Sequence, residues 1–316
     1  MHPKTMRTTT MRTTTMRMTT AKILIPAVLL MGAVACGGDD TAPGAAPSVT
    51  EMPFDVATAG NVRGMVMFEG TPPAPEPIDM ASEPDCLERW DEAPVRELVR
   101  VRGGHLADVF VYVKEGLTDM QFPVPAEATL VDQYGCRYLP HVSGVMANQT
   151  LTFRNSDGLL HNVNATPQVN RPFNFSQPVN MDTNRTFAQP EVMIPVRCDV
   201  HGWMLAYVGV VGHPYHSVSG DGGGFDLSDL PPGDYVIEAW HSRLGTQEQR
   251  VTVTTGETAE VTFTFNEGML ATAQVPMADP IDPHYHNPLL VHLGRHAHGG
   301  SGEHAGHTHA ASTDRR

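Results

Sequence analysis

Basic residues, long apolar runs and helical periodicity are all scarce in this sequence. The 316 residues include 21 Lys and Arg against 35 Asp and Glu. Five of the basic residues and none of the acids lie in positions 1–22, so the rest of the chain carries a net charge of −19 with histidines neutral. This charge argues against nucleic acid as a partner and favours solubility or basic partners. The apolar run 23–35 is too short to span a bilayer, and only residues 86–90 have the pattern of a short helix.

The N-terminal segment has the features of an export signal. A basic stretch without acids precedes the apolar run 23–35, which ends in Ala33-Val34-Ala35-Cys36 and resembles a bacterial lipobox. We predict a signal peptide over 1–36 with Cys36 lipidated. A plain signal peptide cut near Ala35 is the alternative. The Gly-, Ala- and Pro-rich segment 37–59 is then a flexible linker, and we expect a lipid-anchored protein of the cell envelope that faces the periplasm.

Cysteine counting leaves one thiol without a partner. Export implies an oxidising compartment, in which paired cysteines persist. With Cys36 lipidated, we predict a disulfide between Cys86 and Cys136, which leaves Cys198 free. Pairing of Cys198 with either of the other two stays open, and it would abolish any metal site at Cys198.

A short loop after an apolar segment carries three different metal-ligand types. Cys198, His201 and Met204 follow the spacing Cys-x2-His-x2-Met, which lets three ligands surround one ion. A fourth ligand, His161, lies on a separate predicted strand. One thiolate, two imidazoles and a thioether suit both Cu(I) and Cu(II), so the set predicts a copper site that moves one electron. Taken singly, each residue has a plainer explanation, such as a structural disulfide, an ordinary histidine or a core methionine.

With this loop and strand, the chain resembles the cupredoxins, and the ligand loop is most similar to that of amicyanin. The resemblance implies that His161, Cys198 and His201 are equatorial copper ligands and that Met204 is axial. It also implies that Asn162 braces the two ligand segments and tunes the sulfur by hydrogen bonds.

The resemblance also implies where an electron enters and leaves the protein. The sequence departs from the family pattern at one position of the loop. In cupredoxins the edge of the second histidine, here His201, reaches the surface within an apolar ring, here Trp203 and Leu205. Many such loops have proline after this histidine, whereas this chain has Gly202, which leaves the loop less rigid.

A second β unit follows the loop. The motif at 224–235, Gly-Phe-Asp-Leu-x-x-Leu-Pro-Pro-Gly-Asp-Tyr, resembles the carboxypeptidase regulatory-like domain and the small sandwich of rhamnogalacturonan lyases. We predict an all-β chain, with a cupredoxin-like Greek-key sandwich over 60–212 and a small prealbumin-like β-sandwich over 213–266. About 50 residues is short for an independent sandwich. Either it packs on the copper unit, or the early strands at 62–68 and 109–113 complete it and the copper unit is an insertion.

The predicted tail, residues 267–316, is rich in histidine. Eight of the 16 histidines fall in the last 33 residues, interleaved with Gly, Ala and Ser, so we predict a disordered tail. Such a tail offers a loose auxiliary metal site, with the candidates His296, His298, His304, His307 and His309. A low-complexity tail without a selected role is the alternative.

Three functions are compatible with these features. The first is a one-electron copper carrier with an unidentified redox partner, which is not an enzyme. The second is a copper storage or delivery protein that uses the same site and the tail. The third is an envelope module that binds glycan and has a vestigial metal site. A multicopper oxidase would need His-x-His pairs in folded domains, and these occur only in the tail; a binuclear copper centre would need a second cysteine in the loop.

Overall fold

The computed structural model describes residues 51–271. The predicted signal peptide with Cys36, most of the linker and most of the His-rich tail lie outside these residues. The described part is almost entirely β, and the prediction of an all-β fold is confirmed. Its helices are the 3-10 turn Val56–Thr58, the α-helix α1 (Pro84–Leu87) and the 3-10 helix Glu267–Ala271. Between residues 51 and 271 no helix is long and apolar enough to cross a membrane.

Twenty strands follow one another along the chain. The first ten are β1 (Gly60–Glu69), β2 (Glu76–Pro77), β3 (Val95–Arg96), β4 (Val101–Arg102), β5 (His105–Leu106), β6 (Phe110–Glu115), β7 (Thr129–Gln133), β8 (Tyr138–Leu139), β9 (Val142–Met146) and β10 (Leu151–Asn155). The other ten are β11 (His161–Ala165), β12 (Phe173–Gln177), β13 (Met181–Arg185), β14 (Glu191–Arg197), β15 (Leu205–Val211), β16 (His216–Val218), β17 (Gly224–Leu230), β18 (Gly233–His241), β19 (Gly245–Val253) and β20 (Thr258–Asn266).

Strands β7 to β15 form one β-sandwich, which we call the inner sandwich. Its two sheets have the strand orders β13-β10-β7-β8 and β12-β11-β14-β15-β9. Strand β10 shows the pattern that builds its core: Leu151 and Phe153 are fully buried, whereas Arg154 points outward. Because successive side chains of a strand point to opposite faces, this alternation places the apolar face against the other sheet.

The remaining long strands form a second sandwich, which we call the outer sandwich. Strand β1 pairs with β17 and, in parallel, with β20, while β6 pairs with β16 and β18. Strands from the beginning and from the end of the described chain therefore share one core. The boundary that we predicted at 212/213 does not describe this pairing, which follows the alternative in which the inner sandwich is an insertion. A unit of about 50 residues buries too little apolar surface alone, and β1 and β6 supply the missing strands.

The two sandwiches meet at Phe110, which is fully buried beside Val142 and Val211. Two glycines of the inner sandwich make room for its ring. A Cβ atom on Gly209 would lie 2.6 Å from two ring atoms of Phe110, and one on Gly144 would lie 2.6 Å from a third. The close approach of the two sandwiches therefore requires glycine at these positions.

Residues 76–97 belong to the connection between β1 and β4, and they pack against the inner sandwich. They contain the short hairpin β2–β3 and α1, the latter two residues earlier than the predicted helix at 86–90. A disulfide joins Cys86 of this segment to Cys136 of the inner sandwich. We call residues 76–97 the cover segment, because they cover the side chain of His201.

The first five residues of the predicted disordered tail are helical. Residues 267–271 form a 3-10 helix, in which Glu267 Oε2 accepts a hydrogen bond of 2.9 Å from the backbone N–H of Thr71. Met269 and Leu270 pack against the outer core. These apolar side chains and the hydrogen bond order the first residues after β20.

Candidate metal centre

The pairing of three neighbouring strands brings the predicted ligands together. Strands β11 and β14 are antiparallel neighbours, so the start of β11 at His161 lies beside the end of β14, just before Cys198. Strand β14 also pairs with β15, and residues 198–204 are the loop that joins these two strands. Backbone hydrogen bonds close the loop, from Cys198 N–H to Met204 O at 3.3 Å and from Met204 N–H to His201 O at 2.9 Å.

Three ligand atoms converge at this point. One ligand atom from each of His161, Cys198 and His201 lies within 4.8 Å of the other two. The Nδ1 atoms of the two imidazoles are 2.9 Å apart, and Cys198 Sγ is 3.7 Å from His201 Nδ1. All three residues are at most 3 % exposed. Met204 is 1 % exposed and belongs to the same buried cluster as Cys198.

The sulfur of Cys198 accepts hydrogen bonds that favour its thiolate. The backbone N–H groups of His201 and Asn162 donate to Sγ at 3.4 and 3.5 Å. Burial by itself would raise the pKa of this thiol, but hydrogen bonds from His161, His201 and the two backbone groups outweigh it and lower the pKa to about 6. The thiolate is the form that binds metal.

Asn162 links the two ligand segments. Its side-chain oxygen accepts a hydrogen bond from the backbone N–H of Asp199, and its Nδ2 donates to Asp199 Oδ2 at 3.0 Å. It also donates to Asn174 Oδ1 at 2.7 Å. The start of β11 is thus fixed to the residue that follows Cys198.

Asp157, between β10 and β11, orients His161. Its side chain is fully buried, and its Oδ2 lies 2.8 Å from His161 Nε2. Burial would raise the pKa of Asp157, but hydrogen bonds from His161 and from the backbone N–H groups of Cys136 and Gly135 lower it below its ordinary value. An ionised carboxylate only accepts hydrogen bonds, so the ring proton is on Nε2. Burial would lower the pKa of His161, but its hydrogen bonds with Asp157 and Cys198 raise it in the metal-free protein. Once Nδ1 gives up its proton, it presents its lone pair to the centre, an arrangement common among metal-binding histidines.

The cover segment buries His201, contrary to the exposed edge that the cupredoxin resemblance implied. Cys86 Sγ lies 3.5 Å from His201 Nε2, and Glu83 Oε2 lies 4.0 Å from the same atom. His201 is only 3 % exposed as a result. Two further residue groupings near the centre include a sulfur of the Cys86–Cys136 disulfide, and a disulfide sulfur is not a thiolate ligand.

Arg89 and Trp90 hold the cover segment in place together with the disulfide. Arg89 donates to the carbonyl of Asp157 at 2.6 Å and lies 3.3 Å from its carboxylate. Trp90 Nε1 donates to the carbonyl of Gly135 at 3.0 Å. The cover is therefore connected to the same turn that orients His161.

The ring of Trp203 lies next to that of His201. Its ring centroid is 5.2 Å from that of His201, and its Nε1 donates to Cys136 O at 2.9 Å. Trp203 is half-buried, unlike His201.

Comparisons with known proteins find similarity only among solved structures. No family model and no curated protein matches the chain. Amicyanin from Paracoccus versutus is 21 % identical over 32 % of this chain and 96 % of its own length, with a TM-score of 0.25. A purple cupredoxin from Nitrosopumilus maritimus is 17 % identical over 26 % of this chain and 98 % of its own, with a TM-score of 0.23. A copper-containing nitrite reductase from Thermus scotoductus is 19 % identical over 31 % of this chain, which spans only 25 % of that protein, with a TM-score of 0.25.

Proposed function

We propose that this chain is a copper protein that carries one electron at a time, with His161, Cys198, His201 and Met204 as the ligands. The observation that carries the proposal is the convergence of one cysteine and two imidazole nitrogens at a buried point. A soft thiolate with two imidazoles and a thioether suits copper in both oxidation states, and the bound metal would supply a one-electron couple.

The environment of these side chains supports a carrier over a storage site. Cys198 is held by two backbone N–H groups and His161 by a buried carboxylate. Such hydrogen bonds fix ligand orientation before the metal binds. The cover segment also separates His201 from solvent, which disfavours easy exchange of metal.

The setting of this function is proposed from the sequence. The protein would be anchored to a cell-envelope membrane through Cys36, face the periplasm and exchange electrons with another redox protein. No bond of a substrate changes in this function, so the chain would not be an enzyme. With His201 covered, Trp203 is the side chain that we propose as the route for the electron, because its ring lies next to that of His201.

A visible absorption spectrum of the copper-loaded protein tests the proposal. We expect an intense thiolate-to-Cu(II) band that is lost in Cys198→Ser and in His161→Gln. His105→Gln is the control, since His105 lies on β5 of the outer sandwich, and it should retain the band. Reversible one-electron reduction with copper retained is expected. Absence of the band from the wild type, or loss of copper to a chelator on each reduction, would contradict a carrier.

A further inference from the structure

A large cleft lies beside the ligand loop. It has a volume of about 1150 Å³, and its walls include Trp203 and Met204 of the loop together with Trp90 and Ile78 of the cover segment. An occupant of this cleft would lie against Trp203.

Arginine is concentrated in this cleft, although the chain as a whole is acidic. Five arginines line it: Arg96, Arg100, Arg102, Arg137 and Arg243. Three of them, Arg96, Arg100 and Arg102, pair with carboxylates of the cleft wall. Arg100 makes a two-pronged contact with Asp108 at 2.9 and 3.0 Å, and Arg102 makes a similar one with Glu97 at 2.6 and 2.9 Å.

Arg137 and Arg96 differ in their pairing within the cleft. The guanidinium of Arg137 stacks over Trp90, 5.7 Å from the ring centroid, and within residues 51–271 it has no ion pair. Burial lowers the pKa of Arg137. Arg96 pairs with Glu76 through its terminal nitrogen at 3.0 Å, but its Nε is buried without a hydrogen-bond partner in the described chain. The guanidinium of Arg137 is therefore the cation of the cleft that is left to pair with an anionic ligand, and charge-assisted hydrogen bonds to a guanidinium are among the stronger ones.

We propose that the cleft binds a small organic anion, in which a carboxylate or phosphate group meets Arg137, with Arg96 on the same cleft wall, and a flat body lies against the tryptophan side chains. The planar guanidinium matches the oxygens of both acid groups. The volume slightly exceeds the range of small-molecule sites, about 300–1,000 Å³, so a small anion would fill only part of the cleft. The exposed carboxylates of Asp91 and Glu92 line the same cleft and disfavour a polyanion.

The binding of a fluorescent anion to the metal-free full chain tests this proposal. The probe is anilinonaphthalene sulfonate, which combines a flat aromatic body with one negative charge. We expect saturable binding, with a dissociation constant about tenfold or more weaker in the double variant Arg96→Gln/Arg137→Gln, as expected when a charge-assisted contact is removed. The matched control is Arg63→Gln/Arg154→Gln, which removes two arginines that pair with Asp226 and Asp182 outside the cleft.

Competition on the unmodified protein gives a second test that does not depend on the folding of a variant. Benzoate or phenyl phosphate should displace the dye, whereas uncharged benzamide should not, and the better competitor identifies the acid group. Any of three results would overturn the proposal. These are equal dye affinity in the wild type, the double variant and the control, equal displacement of the dye by benzoate and benzamide, and no dye binding by the wild type. Because the assays contain no copper, their failure would leave the proposed metal site untouched, and loss of the copper band would leave the cleft untouched.

Discussion

Replacement of Asp157 by asparagine tests whether Asp157 orients His161, because the variant changes the partner of the imidazole and leaves His161 itself in place. Asp157 accepts hydrogen bonds from His161 Nε2–H and from the backbone N–H groups of Gly135 and Cys136, all at 2.8 Å. Asparagine has nearly the same shape, but one of its two terminal atoms is a donor. If this NH2 group faces His161, Nε2 must accept and the ring proton moves to Nδ1. That nitrogen then has no lone pair for a metal.

The expected losses follow from these contacts. The removal of a hydrogen bond that orients a metal-binding histidine typically costs 10- to 100-fold in metal affinity, which corresponds to about 1.4–2.7 kcal/mol. The metal-free protein also loses a buried charge that partners Arg89, and hydrogen bonds to charged groups contribute about 1.5–3 kcal/mol. We therefore expect the free energy of unfolding to fall by about 2–3 kcal/mol, and Tm by roughly 4–12 °C for a protein of this size.

The pH dependence of this stability loss has a definite sign. The folded protein lowers the pKa of Asp157 from an ordinary value of 3.8. The carboxylate therefore contributes stability above that value, and the contribution is lost as the pH falls through the lowered pKa. The difference in unfolding free energy between wild type and Asp157→Asn should be largest near neutral pH and should shrink in acid.

Copper titration and urea unfolding of the metal-free protein measure the two effects. The control is Asp182→Asn, because Asp182 is an exposed aspartate that pairs with Arg154 away from the site. It removes the same charge, and exposed pairs contribute about 0–1 kcal/mol. If Asp157→Asn binds copper as tightly as the control does, Asp157 does not set the proton position of His161 and our reasoning is wrong.

Two further predictions concern stability away from the metal centre. Burial lowers the pKa of His213 and His216 to about 4 and that of His241 to about 3. Because the unfolded histidines titrate near 6.5, the folded state loses stability as the pH falls from about 6.5 toward those values. Urea unfolding should show a loss of about 5–6 kcal/mol between pH 7 and 5, nearly 2 kcal/mol from each histidine, and equal stability at the two pH values would refute this. Gly209→Ala places a Cβ against Phe110 and should lower the free energy of unfolding by about 1–3 kcal/mol in the same assay. Gly222→Ala is the control, because a Cβ there meets nothing within 4 Å, and it should change the stability little. Equal effects of the two variants would show that the interface adapts to the extra methyl group.

The ligand loop could be predicted because its information is local. Cys198, His201 and Met204 occur within seven residues, and the alternation of β10 and the segment after it placed His161 on a neighbouring strand. Asp157 is four residues from His161, but a turn pattern does not show which side chain points inward. Only the packed structure shows that the carboxylate is buried against the imidazole.

The pairing of β1 and β6 with later strands was less accessible to sequence reasoning. Alternation identifies a strand and its buried face, but it does not identify the neighbour with which the strand pairs. The sequence left two arrangements open, and the small size of the unit at 213–266 was the only physical argument between them. The parallel pairing of β1 with β20 joins strands that are almost 200 residues apart, beyond the reach of any local pattern.

The cover over His201 and the arginine cleft have the same structural origin. Both are built where the cover segment crosses the inner sandwich: Cys86 and Glu83 approach His201 on one side, and Trp90 and Arg96 line the cleft on the other. A segment that hides the imidazole edge removes the exposed contact that the cupredoxin resemblance implied. Trp203 contacts the ring of His201 and also lines the cleft. If an electron leaves through Trp203, an anion bound in the cleft would therefore lie next to its path.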